Sequence, residues 1–159
     1  MRISDIHQQL AELGAKPMHI GRIERAWLRG LALDTGTRYQ QSENFLPLSV
    51  RNGLPALSAQ LDGLLRLRSE HPAGDGSARL LVELGDGQMV ESVLLPRGGL
   101  CVSSQVGCAV GCVFCMTGKS GLLRQLGSAE ILAQVALARR FRPVKKVVFM
   151  GMGEPAHNL

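Results

Sequence analysis

Apolar positions recur at helical spacing through the first third of the chain. Ile6, Leu10 and Leu13 share one stripe, with Ser4 placed to cap the helix and Gly14 to end it. A second helix is expected over 20–28, with Ile20, Ile23 and Trp27 on one face and Gly30 as its stop. A third is expected to begin at Pro55, a favourable first helical residue, and to carry Leu57, Leu61 and Leu64. These residues read as a small helical core, with Trp27 in packing. From Leu65 the period shortens to two. Leu80, Val82 and Leu84 alternate with Arg79, Leu81 and Glu83, Gly85-Asp86-Gly87 predicts a turn, and 89–95 is the return strand. Pro96-Arg97-Gly98-Gly99 breaks that strand, and the main boundary is placed there.

After the break come a short strand over 100–102, a long loop holding cysteines, and a helix. Ser128 is placed to cap that helix, with Glu130 in its first turn and Arg139 and Arg140 in its last, as the helix dipole favours. Ile131, Leu132, Val135 and Ala136 give its buried face, and 146–150 reads as a buried strand. Strand, loop, helix, strand is a parallel crossover unit, and such units bind ligands at the C-terminal ends of their strands. Two parallel strands and one helix cannot close a barrel, so the chain reads as the front portion of something longer. Three segments are expected: a helical accessory domain over 1–64, a β-hairpin connecting region over 65–97, and a first β-α-β part over 98–159.

Composition narrows the class. The 159 residues are 45% hydrophobic and 19% charged, which excludes a disordered chain. No apolar run approaches the ~20 residues of a membrane span, and the N-terminus lacks the apolar core of a secretory signal. The expectation is a cytoplasmic monomer with reduced thiols. The net charge of +5 is unevenly placed. Residues 1–97 balance, whereas 98–159 hold Lys119, Arg124, Arg139, Arg140, Arg142, Lys145 and Lys146 against only Glu130 and Glu154. A basic face suits a polyanion such as RNA. It equally suits a solvated helix end, or a patch that meets acidic residues elsewhere.

The strongest chemical signal is Cys108-Ala-Val-Gly-Cys112-Val-Phe-Cys115. Thiolates are soft ligands for iron–sulfur clusters, zinc or copper(I). A cubane cluster normally takes four protein thiolates, so three leave one iron with an open position. A structural zinc site would close with four ligands, and Cys101, His71 or His157 are the nearest candidates for a fourth. The spacing is not that of paired zinc knuckles, and a disulfide framework does not suit a reducing compartment.

The C-x3-C-x2-C spacing, with Phe114 before its last cysteine, resembles the radical S-adenosylmethionine superfamily. The loop Gly151-Met152-Gly153-Glu154-Pro155 is similar to that superfamily's second motif. The run from Leu100 through Ser103-Ser104-Gln105 to Cys108, with Arg124-Gln125, Glu130 and Asn158, narrows the resemblance. It resembles the radical methyltransferases that modify adenine C2 in 23S ribosomal RNA and, in some members, transfer RNA; close relatives methylate C8. The resemblance implies an α+β accessory region of short helices and a hairpin, followed by the start of an α/β partial barrel. It implies a [4Fe–4S] cluster on Cys108, Cys112 and Cys115, and S-adenosylmethionine held by Phe114, Gly153, Glu154 and Pro155. An external, flavodoxin-like electron donor is implied as well. It assigns Glu91 as a proton acceptor, against the plain reading of a polar residue on a hairpin's outer face. It assigns Cys101 as the thiol that resolves a methyl-cysteine intermediate by a disulfide, against a small buried hydrophobe. The methyl-carrying cysteine of the family has no counterpart, because no cysteine follows Cys115. Two other readings stand beside this one: a radical enzyme acting on a protein or small molecule, and a non-catalytic module that at most binds a cluster.

Overall fold

The computed structural model describes residues 1–36 and 41–158. Helices α1 (Ile3–Glu12), α2 (Pro17–Leu28) and α3 (Leu48–Asp62) pack their apolar stripes together, burying Ile6, Leu10, Ile23, Trp27, Val50, Leu54, Leu57 and Leu61. All three helices begin earlier than expected, α2 at Pro17 rather than at 20. Ser4 lies inside α1, whose cap position is Arg2, with its backbone N–H on Asp5 Oδ2 at 2.8 Å. Pro55 lies inside α3 rather than at its start. An interior proline costs about 3 kcal/mol. The stripe of Val50, Leu54, Leu57 and Leu61 runs through it, and each buried aliphatic side chain contributes roughly 1.5–3 kcal/mol. Burial therefore outweighs the proline.

A five-stranded sheet follows, in the order β1-β2-β3-β4-β7. β1 (Leu65–Pro72), β2 (Ala78–Leu84) and β3 (Met89–Leu95) form an antiparallel meander, with the predicted alternation of buried and open positions in β2 and β3. β4 (Gly99–Cys101) pairs antiparallel with β3, so the sheet continues across the break at Pro96. β7 (Lys146–Val148) then pairs parallel with β4, Leu100 against Val147. The expected crossover unit is present. Its second strand is shorter than expected and is not buried. β7 has one neighbour, and Phe149 and Met150 lie exposed beyond its end. A two-residue-deep alternation cannot be buried at a sheet edge without a further layer.

Between β4 and β7 a second small sheet pairs β5 (Gln105–Gly107) with β6 (Leu122–Gln125). Helix α4 (Ser128–Arg139) then crosses back. Its expected single buried face is a double one. Ala129, Ala133 and Ala136 meet the N-terminal helices, while Val135 and Ala138 meet the sheet. Ile131 and Leu132, expected in the core, are half-buried at the margins. Small residues on one stripe let α2 and α4 approach, so α4 is the layer that joins the helical core to the sheet core. Ser128 does not cap α4. Gly127 takes that position and donates its N–H to Glu130 at 2.7 Å, while the Ser128 hydroxyl accepts the backbone N–H of Ile3 at 2.9 Å.

Candidate active site

The cysteine loop is closed at its base by the β5–β6 hairpin. Cys108 follows β5 directly, and its N–H donates to Gly121 C=O at 3.0 Å. Gly107 has φ +76°, and a Cβ there would stand 2.0 Å from the Gly121 carbonyl oxygen. The hairpin can close only around a residue without a side chain. Within the loop, Cys115 N–H donates to Cys112 C=O at 3.0 Å, making a tight turn that carries two of the three thiols. The loop is open to solvent: Cys112 is exposed and Phe114 is 88% exposed. Hydrogen bonds from the Thr117 side chain and backbone hold the Cys115 thiol below its ordinary value, favouring the thiolate that a metal needs.

The second motif lies against the chain just before the cysteine loop. Gly151 N–H donates to Val102 C=O at 3.1 Å, and Ser104 and Gln105 N–H both donate to Met152 C=O. A Cβ on Gly153, where φ is +100°, would stand 2.5 Å from the Gln105 side chain. Glu154 accepts the Ala156 N–H on Oε1 at 3.0 Å, and the rest of its carboxylate is available to a donor such as an ammonium group.

A chain of side-chain amides that starts at the buried Gln105 joins the two motifs. Gln105 is fully buried at the start of β5. Its Oε1 accepts the Glu154 N–H at 2.8 Å and its Nε2 donates to Gln125 Oε1 at 2.9 Å. Gln125 in turn donates to His157 C=O at 2.7 Å. Asn158 closes the set, donating to Ser104 C=O and Leu126 C=O. Behind this layer, Gln134 of α4 accepts from the Ser92 hydroxyl and Ser103 N–H and donates to Ser103 C=O. Ser103 Oγ donates to Glu91 C=O and accepts the Met152 N–H. The Ser104 hydroxyl is buried beside both loops with no partner among the described residues. None of these amides was singled out as a site residue from the sequence. The signal was there: Ser103-Ser104-Gln105 is a polar run where a buried strand continues, and buried polar groups require partners.

Glu91 and Cys101 share a sheet face. Cys101 is opposite Val93, and Glu91 is two residues earlier on β3, whereas Leu94 and Leu100 are opposite one another on the α4 side. Glu91 pairs with Arg79 at 3.2 Å. Cys101 is buried, and burial raises its thiol above the ordinary value against an opposing backbone contact from Met150. Burial therefore disfavours its thiolate. All four cysteines are free of disulfides. Among the described residues no group of three or more His, Cys, Asp or Glu is gathered closely enough to hold a metal. The three loop cysteines are thus placed on one hinged, exposed turn rather than on a finished ligand set.

Arg124 of β6 fixes the loop base to α4. It holds Glu130 with two hydrogen bonds, at 3.0 and 2.8 Å, and reaches Asp86 with its Nε at 2.6 Å. Burial alone would raise the Glu130 carboxyl, but Arg124 and the Gly127 N–H outweigh it and hold the group below its ordinary value of 4.5. A carboxyl depressed in the folded state stabilises above its unfolded value, and that stability is lost as pH falls through the folded one. Glu130→Gln is expected to cost about 2 kcal/mol at pH 7, because Arg124 loses its part-buried carboxylate and keeps the exposed Asp86 and the Gln125 carbonyl. The difference between variant and parent should shrink as the pH is lowered below 4.5. Urea unfolding at pH 7 and in acid checks both.

The chain matches no family model. It is 84% identical over all 159 residues to a probable RNA methyltransferase of Stutzerimonas stutzeri, of which it covers 46%. It is 75% identical over 159 residues to a probable RNA methyltransferase of Chromobacterium violaceum, covering 45% of that protein. It also resembles the crystal structure of a radical SAM methyltransferase from Sphaerobacter thermophilus. The TM-score is 0.69 at 34% identity, over 99% of this chain and 47% of that one. Throughout its length the chain is similar to proteins named as probable RNA methyltransferases. It spans about half the length of the curated relatives it matches. Its mixed α/β fold is similar to that of a radical SAM methyltransferase. Among the described residues no helix is long and apolar enough to cross a membrane.

Proposed function

We propose that this chain carries the cluster and S-adenosylmethionine site of a radical methyltransferase. Its substrate on this reading is adenine C2 of 23S ribosomal RNA, with transfer RNA as a second substrate. The observation that carries the reading is the Gln105 bridge, which hangs the cysteine loop and the Gly151–Pro155 loop from one buried strand end. Three thiols on an open glycine-hinged turn are a donor set suited to a [4Fe–4S] cluster with one open iron. Cys108, Cys112 and Cys115 would hold it, with Thr117 favouring the Cys115 thiolate. When bound, the cluster supplies the electron that cleaves S-adenosylmethionine reductively.

The remaining work belongs to the protein. Glu154, oriented by the Ala156 N–H, accepts hydrogen bonds from the methionine ammonium group. Gly153 and Pro155 keep the backbone close, and the exposed Phe114 ring offers an apolar face to the adenine. Cys101 and Glu91, on the sheet face away from α4, supply the resolving thiol and a proton acceptor. The open loop admits a flavodoxin-like electron donor. On this reading the protein works as a cytoplasmic monomer, in a compartment that keeps thiols reduced.

Anaerobic reconstitution with iron and sulfide tests the reading. About four irons per chain and a spectrum perturbed by S-adenosylmethionine are expected. Cys112→Ala should lose the cluster entirely while its unfolding transition stays put, since Cys112 is exposed. A full iron complement in that variant, or zinc in the parent, overturns the assignment. RNA-dependent methyl incorporation by a protein containing this chain separates an RNA substrate from a protein or small molecule.

A further inference from the structure

The basic excess of residues 98–159 has a definite place in the fold. Four arginines, Arg29, Arg139, Arg140 and Arg142, line an open depression of about 440 Å³ together with Phe141. It lies where α2 and α4 end. Helix α4 starts beside the cysteine-loop hairpin and rises about 18 Å over its 12 residues, so the depression is at the far end of the crossover unit. Lys145 and Lys146 follow it along the chain, both exposed.

The way these cations are bonded decides what they can do. Arg139 donates to Leu28 C=O at 2.7 Å and to Val144 C=O, and Arg142 donates to Gly76 C=O at 2.8 Å. Carbonyls orient a guanidinium without cancelling its charge. Arg140 alone faces a carboxylate, Asp62 at 2.7 Å, and both groups are more than half exposed. Such a pair is worth little and opens readily to a stronger anion. The Arg29 guanidinium has no partner among the described residues. The depression therefore presents two carbonyl-oriented guanidiniums, Arg139 and Arg142, the unpaired Arg29 and the exposed Arg140–Asp62 pair beside a 42% exposed aromatic ring. Arginine forks match phosphate oxygens, and an exposed ring beside them stacks on an unpaired base.

We propose that this depression is a second RNA grip, binding the phosphate backbone of the RNA away from the reacting base. The choice of RNA over another polyanion rests on the reading above and on Phe141, which a purely ionic partner would not need. The grip sets affinity and register, and the chemistry takes place at the other end of α4.

Fluorescence anisotropy of a fluorescein-labelled 30-nucleotide RNA hairpin with an unpaired loop tests it. The double variant Arg29→Ala with Arg140→Ala should bind roughly tenfold more weakly at low salt, and its salt slope should fall by about 2. Phe141→Ala should weaken the hairpin but not a fully paired duplex. Asp62→Asn, which frees Arg140, should tighten binding, a gain that damage to the fold cannot produce. Lys16→Ala, at the opposite end of α2, should leave both quantities unchanged. An unchanged slope in the double variant overturns the grip. So does displacement of the RNA by a glutamate 20-mer at equal charge, which would point to an acidic protein. Iron uptake by the double variant should equal the parent's. RNA binding through this face by a chain that takes up no iron would sink the cluster assignment and leave the grip standing.

Discussion

Gly107→Ala is expected to reduce iron uptake to background without unfolding the chain. The Cβ it adds would sit 2.0 Å from a backbone oxygen, Gly121 C=O, which cannot rotate away like a side chain. The residue also holds φ +76°, a region costing roughly 1–2 kcal/mol for a non-glycine. Relief requires the β5–β6 hairpin to open, which breaks the Cys108 N–H bond to Gly121 and frees the base of the cysteine loop. The helical core and the five-stranded sheet do not include that contact, so far-UV circular dichroism should be retained. Gly87→Ala is the matched control. It has φ +83° with nothing near its would-be Cβ. It should cost about 1 kcal/mol and leave iron uptake intact. Normal iron uptake by Gly107→Ala would show that the hairpin does not shape the loop.

Gln105→Leu is expected to separate the two motifs while each survives. Leu fills most of the same space with a shorter, Cγ-branched side chain, but Gln125 Oε1 loses its donor and the Glu154 N–H loses its acceptor. The part-buried Glu154 N–H left unpaired costs about 1–3 kcal/mol, whereas the exposed Gln125 amide turns to water. The Gly151–Met152 end of the loop keeps its backbone bonds to residues 102–105, whereas the Glu154 end loses its side-chain tie and is expected to loosen. The three cysteines do not bond to Gln105. Iron content should therefore stay near the parent's, and the spectral response to S-adenosylmethionine should require at least tenfold more of it. Gln105→Glu should restore the Glu154 N–H bond and part of the affinity. Equal loss of iron and S-adenosylmethionine binding would mean that Gln105 merely holds the fold.

Much of the local structure was legible in the pattern. Met89–Leu95 and the alternation in Ala78–Leu84 were readable because a strand with one face on a core must alternate. The cysteine loop and the Gly151–Pro155 loop stand out in the sequence as candidates by their residue types, and the structure brings the bases of the two loops together. Ser4, Pro55 and Ser128 misled for a shared reason. Each is a strong local signal for a helix start, and none sits at the position that signal predicts, because neighbouring bonds and burial set the boundary instead. Ser128 spends its hydroxyl on Ile3, 125 residues away. Pro55 is carried through by a buried stripe that continues on both sides. Helix α4 shows the limit of periodicity itself, because two apolar stripes on opposite faces leave no single buried side to detect.

The sequence by itself determined which residues can hold soft metal and which loop follows a strand, since thiol spacing and glycine-rich turns act over a few residues. Only the tertiary structure decided that Gln105, Gln125 and Asn158 tie those loops together. It alone decided that Arg124 belongs to Glu130, while at the end of α4 Arg140 faces Asp62 and Arg139 donates only to carbonyls. Hydrogen bonds and charges are satisfied by whatever the fold brings near, and no spacing along the chain encodes which partner that is.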